Sequence, residues 1–398
     1  MLKILVLLIV GQVSLSYSAN ETIPEWVQQA IAAAKCGMVV YCEPFKNAPR
    51  NQLYAFGKSQ PTAIFKNIYP HEAVINPQNP PEKQKEHKQK IARENKNRMK
   101  SIFYQGLFYK TAVFLGFGDC VTENYVIPTN EIKQPSNAPE NRRKICNIEK
   151  FVPLYDVTKE FPEGFKKLGS TMNKAMGKFQ SFNMVPIFDF SGLWKKDRTA
   201  IIDRINITSL QKIAVLFMLL NPTDCTCRNL MLRMNKETKL LDVIMTDYGE
   251  SFGFCHMYGP HKPNFLSLGK FAEQPIPKSI IDTLNKRTTK NLEYFIAEQK
   301  KNCDSEWLLS NEEEQLLYKC HRTLLNHIKQ LAEIPLARFM FTHMHDHEER
   351  FKKVFEKKRH SDITSKNEPG WLDRDVFPAS HHSIEYWRSE YYKSIEQS

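Results

Sequence analysis

The sequence lacks long apolar runs beyond its first residues, and it lacks C-x-x-C pairs and a glycine-rich loop. Even the apolar run Ile213–Leu220 ends after eight residues, whereas a membrane-spanning helix needs roughly 18 or more. No C-x-x-C pair occurs, and Cys225 and Cys227 have the wrong spacing for a zinc site. No Gly-x-Gly-x-x-Gly motif is present. With 41% hydrophobic and 25% charged residues, the chain of 398 residues is globular rather than disordered.

The first nineteen residues have the pattern of a secretory signal peptide. Lys3 provides a positive start, Ile4–Val10 an apolar run, and Ser16 and Ser18 the small residues expected before a cleavage site. We therefore expect residues 1–19 to be removed and the product to be secreted or to reside in the lumen of the secretory pathway, such as the Golgi. An uncleaved N-terminal anchor is the alternative.

Cysteine usage and glycosylation sequons fit that route. The triplets Asn20-Glu21-Thr22 and Asn206-Ile207-Thr208 are N-glycosylation sequons. In an oxidising lumen we expect most cysteines to form disulfide bonds, and an odd number leaves at least one thiol free or bonded to another chain. The nine are Cys36, Cys42, Cys120, Cys146, Cys225, Cys227, Cys255, Cys303 and Cys320.

The charge balance is strongly basic. A formal net charge of +12 favours acidic partners, such as acidic proteins of the secretory pathway, anionic membranes or polyanionic glycans. We expect no nucleic-acid partner. Residues 77–90 are basic and predict a loop that leads into a charged helix, whose basic face is solvated or docks an acidic partner. The C-terminal tail, residues 346–398, is also basic.

Three polar residues in the middle of the chain have the spacing of a phosphoryl-transfer site. Asp224 is followed by Asn229 in a D-x-x-x-x-N spacing, and Asp247 follows Asn229 by eighteen residues. Between them, the apolar runs 229–234 and 240–246 flank a polar turn, which predicts a β-hairpin with acidic groups at both ends. Phosphoryl transfer needs one carboxylate to orient the attacking hydroxyl, and an Asn and a second carboxylate to hold the metal.

Two predicted strands near the N-terminus flank a glycine and lead to a lysine. The runs 53–56 and 62–65 are apolar and lie on either side of Gly57, so they predict a hairpin that could cover phosphates. Lys66 ends the second strand, where a fixed ammonium suits the α- and β-phosphates of ATP. A solvated lysine is the alternative, but the Asp/Asn/Asp block downstream favours the phosphate role.

The helix predicted before Gly116 is expected to provide an acid that pairs with Lys66. Apolar residues recur at helical spacing over 102–115 and predict a buried face. Gln105 is well placed on that helix but has no charge, whereas Glu94 lies in its charged early part. Glu94 beside Lys66 would favour catalysis, and Gln105 in that place would favour a pseudokinase.

One more strand and a central helix complete the pattern. Residues 145–157 have the apolar run and exit of a strand that joins two lobes, with adenine against its backbone near Glu149–Val152. An ordinary core strand is the alternative. A helix from 206 or 208 to 220 is apolar almost all round, so it is predicted to be buried and to lead directly to Asp224.

The ordered set of Lys66, Asp224 with Asn229, and Asp247-Tyr248-Gly249 resembles the protein-kinase-like superfamily, with Tyr248 in place of the usual Phe. Asp224 is not preceded by His-Arg, and the Asn-Pro-Thr-Asp loop is more similar to atypical branches. These are the secretory-pathway kinases (the Golgi casein kinase, xylosylkinase and four-jointed group) and the phosphoinositide kinases. The signal peptide and the cysteines favour the secretory group. The resemblance covers roughly residues 50–335.

That resemblance implies an α+β, bilobal fold. A small β-rich N-terminal lobe would span residues 20–155, and a larger, mainly helical C-terminal lobe would span residues 156–345. It also implies a site for ATP with Mg²⁺ or Mn²⁺. The implied site residues are the catalytic base Asp224, the phosphate-binding Lys66, the metal ligands Asn229 and Asp247, and the further ATP-site residues Gly57, Gln105 and Glu149.

The expected function is transfer of the γ-phosphoryl group of ATP to hydroxyl groups of secretory-pathway or extracellular proteins. A secreted pseudokinase that acts as a binding partner or activator is the first alternative. A lipid or glycan kinase is the second, and the basic surface is the direct hint of it.

Overall fold

The computed structural model describes residues 23–42, 52–56, 61–70, 77–130, 132–133, 141–150, 203–222, 230–252, 274–301, 308–336, 339 and 343. The chain divides into two compact units. The first unit comprises Met1–Tyr109, Glu123–Val152 and Glu293–Leu309, and the second comprises Lys110–Thr122, Pro153–Leu292 and Ser310–Ser398. All helices and strands named here lie within the described residues.

The first unit is built on a five-stranded antiparallel sheet. Its strands are β1 (Val39–Cys42), β2 (Gln52–Phe56), β3 (Pro61–Lys66), β4 (Asn124–Pro128) and β5 (Ile145–Lys150), in the order β1-β2-β3-β5-β4. In the β3–β5 register, Lys66 lies opposite Asn147, and Ile64 lies opposite Glu149. Since side chains two residues apart share a face, these four side chains lie on one face of the sheet. The sequence predicted β2, β3 and β5 but not β1.

The other face of the sheet is apolar and is covered by helix α1 (Glu25–Lys35). Buried residues of α1 follow the spacing of an amphipathic helix: Val27, Ala30, Ile31 and Ala34. They pack against buried strand residues, Ala63, Phe65, Ile127, Cys146 and Ile148. The sheet therefore has one apolar face and one polar face.

Helix α2 (Pro81–Phe114) follows the third strand and is 34 residues long. It begins at a proline, as helices often do, inside the stretch 77–90 that was predicted as a loop leading into a charged helix. Its first half is mostly exposed, and from Ile102 onward most of its residues are buried. The helix ends where Gly116 adopts a positive φ of 87°, a conformation that glycine adopts without strain.

The second unit contains a central buried helix and a short hairpin. Helix α3 (Ile207–Leu220) is capped by Asn206, whose side chain accepts a hydrogen bond from the Thr208 amide at 3.1 Å. The predicted hairpin is confirmed as β6 (Leu230–Met234) and β7 (Leu241–Met245). Further helices of the described chain are α4 (Lys278–Asn285), α5 (Thr289–Lys300), α6 (Asn311–Asn326) and α7 (Ile328–Glu333), and residues 293–300 of α5 belong to the first unit.

The structure bears on two features expected of a secreted protein. Cys36, Cys120 and Cys146 are free thiols in the described part of the chain, so the predicted disulfide bonding does not include these three cysteines. The Asn206 side chain caps α3 and also donates to Asp242 at 2.8 Å, so both polar atoms of this sequon asparagine are engaged. Residues 1–19 and the sequon at Asn20 lie outside the described residues.

The predicted fold class is confirmed. The described residues form a small unit dominated by an antiparallel sheet and a second unit dominated by helices, which is an α+β arrangement. None of the helices described is long and apolar enough to cross a membrane.

Candidate functional site

Lys66 ends β3, and its ammonium group is paired inside the first unit. Its Nζ lies 2.6 Å from Oε2 of Glu149 on β5, and the two residues are 5% and 3% exposed. Since Glu149 is diagonal to Lys66 in the β3–β5 register, strand pairing alone brings the two side chains together.

Gln105 of helix α2 joins this pair. Its Nε2 donates to the same Glu149 oxygen at 3.2 Å, and its Oε1 has no hydrogen-bond partner among the described residues. Glu94 lies eleven residues earlier on the helix, about 16 Å along the axis, and is 3.9 Å from Lys90. Gln105 is therefore the α2 residue that reaches the Lys66 pair, while the carboxylate comes from β5.

Helix α2 is fixed on the polar face of the sheet by two contacts. Asn147 is fully buried, and its Nδ2 donates to the Ile102 carbonyl at 2.9 Å and to Asn124 Oδ1 at 3.0 Å. At Gly106, an added Cβ would lie 2.8 Å from Cγ2 of Val126, so the absent side chain allows the helix to approach β4 closely. These contacts flank Gln105 and determine where its amide lies.

The electrostatics of the Lys66 pair depend on its burial. Charges taken out of water cost several kcal/mol each unless they are paired and hydrogen-bonded. Lys66 and Glu149 neutralise each other, and Gln105 adds a hydrogen bond to the carboxylate without adding charge. Removing one partner of such a pair costs about 3–5 kcal/mol. The ammonium therefore has a fixed position, which recognition of phosphate oxygens requires.

In the second unit, Asp247 lies two residues after the end of the buried strand β7. Its backbone is left-handed, with a φ of 53°, a region that Asp and Asn tolerate better than other non-glycine residues. The same segment contacts the C-terminal end of helix α3. The Phe252 amide donates a hydrogen bond to the Leu220 carbonyl at 2.5 Å. The segment that begins at Asp247 is thus anchored to the end of the helix that precedes the predicted catalytic loop.

Tyr248 fixes the same segment from the side. The residue is 1% exposed, and its hydroxyl donates to the Thr122 carbonyl. The Thr122 amide in turn donates to the Met245 carbonyl of β7 at 3.0 Å. The hydroxyl gives a physical reason for Tyr in the place where the kinase-like motif usually has Phe, since a Phe could not make this bond.

The structure brings together three of the predicted site residues: Lys66, Gln105 and Glu149. Asp247 belongs to the second unit. Gly57, Asp224 and Asn229 lie outside the described residues, so the roles assigned to them stay predictions. Across the described stretches, no group of three His, Cys, Asp or Glu side chains converges on a metal-binding arrangement.

Sequence reasoning missed the side-chain role of Glu149. It placed the Glu149 backbone near adenine, which no contact of the described residues tests, and it looked for the partner of Lys66 on the helix alone. A signal was present: Asn147 and Glu149 are polar residues two positions apart that alternate with the apolar Cys146 and Ile148. That spacing puts both on one face of a sheet, where a buried polar group needs a partner.

Comparison with protein-family models found no matching family, and comparison with curated proteins found no matching relative. Among solved structures, the chain is similar to the crystal structure of a Helicobacter pylori proinflammatory kinase, CtkA. The sequence identity is 13%, the match covers 75% of this chain and 94% of that one, and the TM-score is 0.33. A likeness at this level supports no conclusion about activity.

Proposed function

We propose that the protein is an ATP-dependent kinase that phosphorylates hydroxyl groups of proteins in the secretory pathway or outside the cell. The observation that supports this most is the buried Lys66–Glu149 pair, which sits with Gln105 on the sheet face that packs against α2. Phosphoryl transfer depends mainly on positioning and on stabilising charge. A lysine fixed by a carboxylate is suited to hold the phosphates of ATP.

The remaining roles follow from the motif in the second unit. Asp224 would accept the proton of the attacking hydroxyl, and the bond between the γ-phosphorus and the bridging oxygen would break to leave ADP. Asn229 and Asp247 would hold a divalent cation, which supplies positive charge to the phosphates when bound. The left-handed backbone of Asp247 orients its carboxylate without the strain that a larger side chain would suffer.

The setting and the acceptor are proposed from the sequence. The signal-peptide pattern of residues 1–19 supports a secretory route, and the resemblance of the site motifs supports the secretory-pathway kinases. The net charge of +12 supports an acidic acceptor protein, because opposite charge raises the rate of encounter.

A secreted pseudokinase is the second candidate, and Gln105 is the observation that favours it. The helix residue that contacts the Lys66 pair is a neutral amide rather than an acid. In this alternative the same site binds nucleotide without transferring phosphate, and the protein acts as a partner or activator of another.

The deciding experiment uses the full-length secreted protein, with ATP binding and incorporation of radiolabelled phosphate measured in Mg²⁺ and in Mn²⁺. Lys66→Met removes the ammonium, and Asp247→Asn removes a carboxylate while keeping a residue that tolerates positive φ. Lys278→Met is the matched control, because the Lys278 side chain is 85% exposed.

Incorporation into the protein itself or into acidic proteins, lost in both variants and kept in the control, would support the kinase. Binding that depends on Lys66, without incorporation by the wild type, would support the pseudokinase. Absence of nucleotide binding by the wild type would refute both.

A further inference from the structure

We propose that Glu149 is the positioning residue of Lys66 in ATP binding, and that helix α2 contributes a neutral hydrogen-bond donor, Gln105, rather than an acid. This inference rests on the proposed function, since it assigns roles around the same lysine. It differs from the expectation drawn from the sequence, in which an acid on the helix positions the lysine.

The contact distances indicate that Glu149 and Gln105 contribute unequally to positioning Lys66. Glu149 Oε2 is 2.6 Å from the Lys66 ammonium, whereas Gln105 Nε2 contacts that same oxygen at 3.2 Å. The first contact joins two opposite charges at the shorter distance, whereas in the second the donor is a neutral amide, so the Coulomb attraction favours the first. Glu149 therefore determines the position of the ammonium, and Gln105 orients the carboxylate.

The elements that bear the two partners also differ. Lys66 and Glu149 lie on β3 and β5, which are adjacent strands in a fixed antiparallel register. Their separation changes only if the strand pairing changes. In a site where the acid lies on a helix, moving that helix separates the pair. Here a movement of α2 would remove the Gln105 hydrogen bond but leave the ion pair in place.

The neutrality of Gln105 has a physical reason in this arrangement. A second carboxylate at position 105 would lie within hydrogen-bonding distance of Glu149, and two ionised carboxylates that close repel each other. The local charge would then be one unit more negative, which opposes the approach of phosphate. A glutamine completes the hydrogen bond and keeps the pair neutral.

The test compares the affinities of the full-length protein for ATP and for adenosine, measured by calorimetry. Glu149→Gln should weaken ATP binding at least about tenfold and change adenosine binding less than about twofold, because adenosine has no phosphates to contact Lys66. Gln105→Ala should weaken ATP binding less than about threefold. Glu312→Gln is the control, because Glu312 is exposed.

A double variant that exchanges the side chains of positions 105 and 149 separates a positioning role from a merely structural one, because only a positioning role predicts that ATP binding recovers. Gln105→Glu combined with Glu149→Gln restores one carboxylate beside Lys66, and should recover ATP binding to within about threefold of wild type. If Glu149→Gln alone does not fold, folding of the transposed variant supplies the rescue, and its ATP and adenosine affinities are then compared with wild type.

The failures of the two proposals are distinguishable. If the wild type binds neither ATP nor adenosine, the proposed function is wrong and the positioning role falls with it. If the wild type binds ATP and Glu149→Gln binds it as tightly, only the positioning role is wrong. Equal losses in Glu149→Gln and Gln105→Ala, or no recovery on transposition, would also refute it.

Discussion

Removing the hydroxyl of Tyr248 should destabilise the second unit by about 2 kcal/mol. The hydroxyl donates to the Thr122 carbonyl, and Tyr248 is 1% exposed. Tyr248→Phe keeps the ring, so no cavity of consequence forms, but it leaves a buried carbonyl without this donor. An unsatisfied buried polar group costs roughly 1–3 kcal/mol. For a domain of 150–250 residues, about 2 kcal/mol lowers Tm by about 4–8 °C.

The measurement is thermal and urea denaturation of Tyr248→Phe beside Tyr294→Phe. The control makes the same chemical change at a residue that is 70% exposed, so it should shift Tm by less than about 1 °C. Because Tyr248 adjoins Asp247, ATP binding in Mg²⁺ is measured in parallel. A Tyr248→Phe protein as stable as wild type would refute the view that this hydroxyl explains the Tyr in the motif.

Three further predictions test packing and titration. Gly106→Ala should destabilise the first unit by about 1–3 kcal/mol through overlap with Val126, and Val126→Ala should relieve part of that loss in a double-mutant cycle of urea melts. Burial lowers the pKa of His321 to about 4, so the folded state excludes a proton that the unfolded state binds. Stability should therefore fall by about 3 kcal/mol as the pH drops from about 6.5 to 4, and His321→Phe should flatten that decline. Exposed Cys36 should react with iodoacetamide in the folded protein, whereas Cys120, whose thiol pKa is raised by burial, should react only on unfolding, as peptide mass mapping would show.

Local sequence signals predicted the elements of the fold well where pattern and turn chemistry agree. The hairpin β6–β7 was predicted from two apolar runs around a polar turn, and Asn235 at that turn accepts hydrogen bonds from the amides of Glu237 and Thr238. Helix α3 was predicted from its apolar face and its cap. In both cases short-range interactions and burial favour the same structure.

Local sequence signals did not predict the features that depend on contacts between residues far apart in sequence. Strand β1 is four residues long and depends on pairing with β2, which a short run does not reveal. Helix α2 begins at Pro81, inside the stretch 77–90 that was predicted as a loop leading into a charged helix, but the exact start was not predicted, since a proline is acceptable in a first helical turn. The partner of Lys66 lies 83 residues away in sequence, so only the sheet register identifies it.

The register also changes how the glutamine on α2 should be interpreted. Judged from sequence, a helix without an acid at this position indicates a lysine without a partner, and hence a pseudokinase. Electrostatics requires only that a carboxylate lie close to the ammonium, and it is indifferent to the element that bears it. Glu149 meets that requirement from β5 at 2.6 Å. Gln105 therefore favours the pseudokinase less strongly than the sequence alone indicates. A Gln105→Glu variant that restores the expected helix acid should bind ATP more weakly than wild type, because it adds a second carboxylate beside the first.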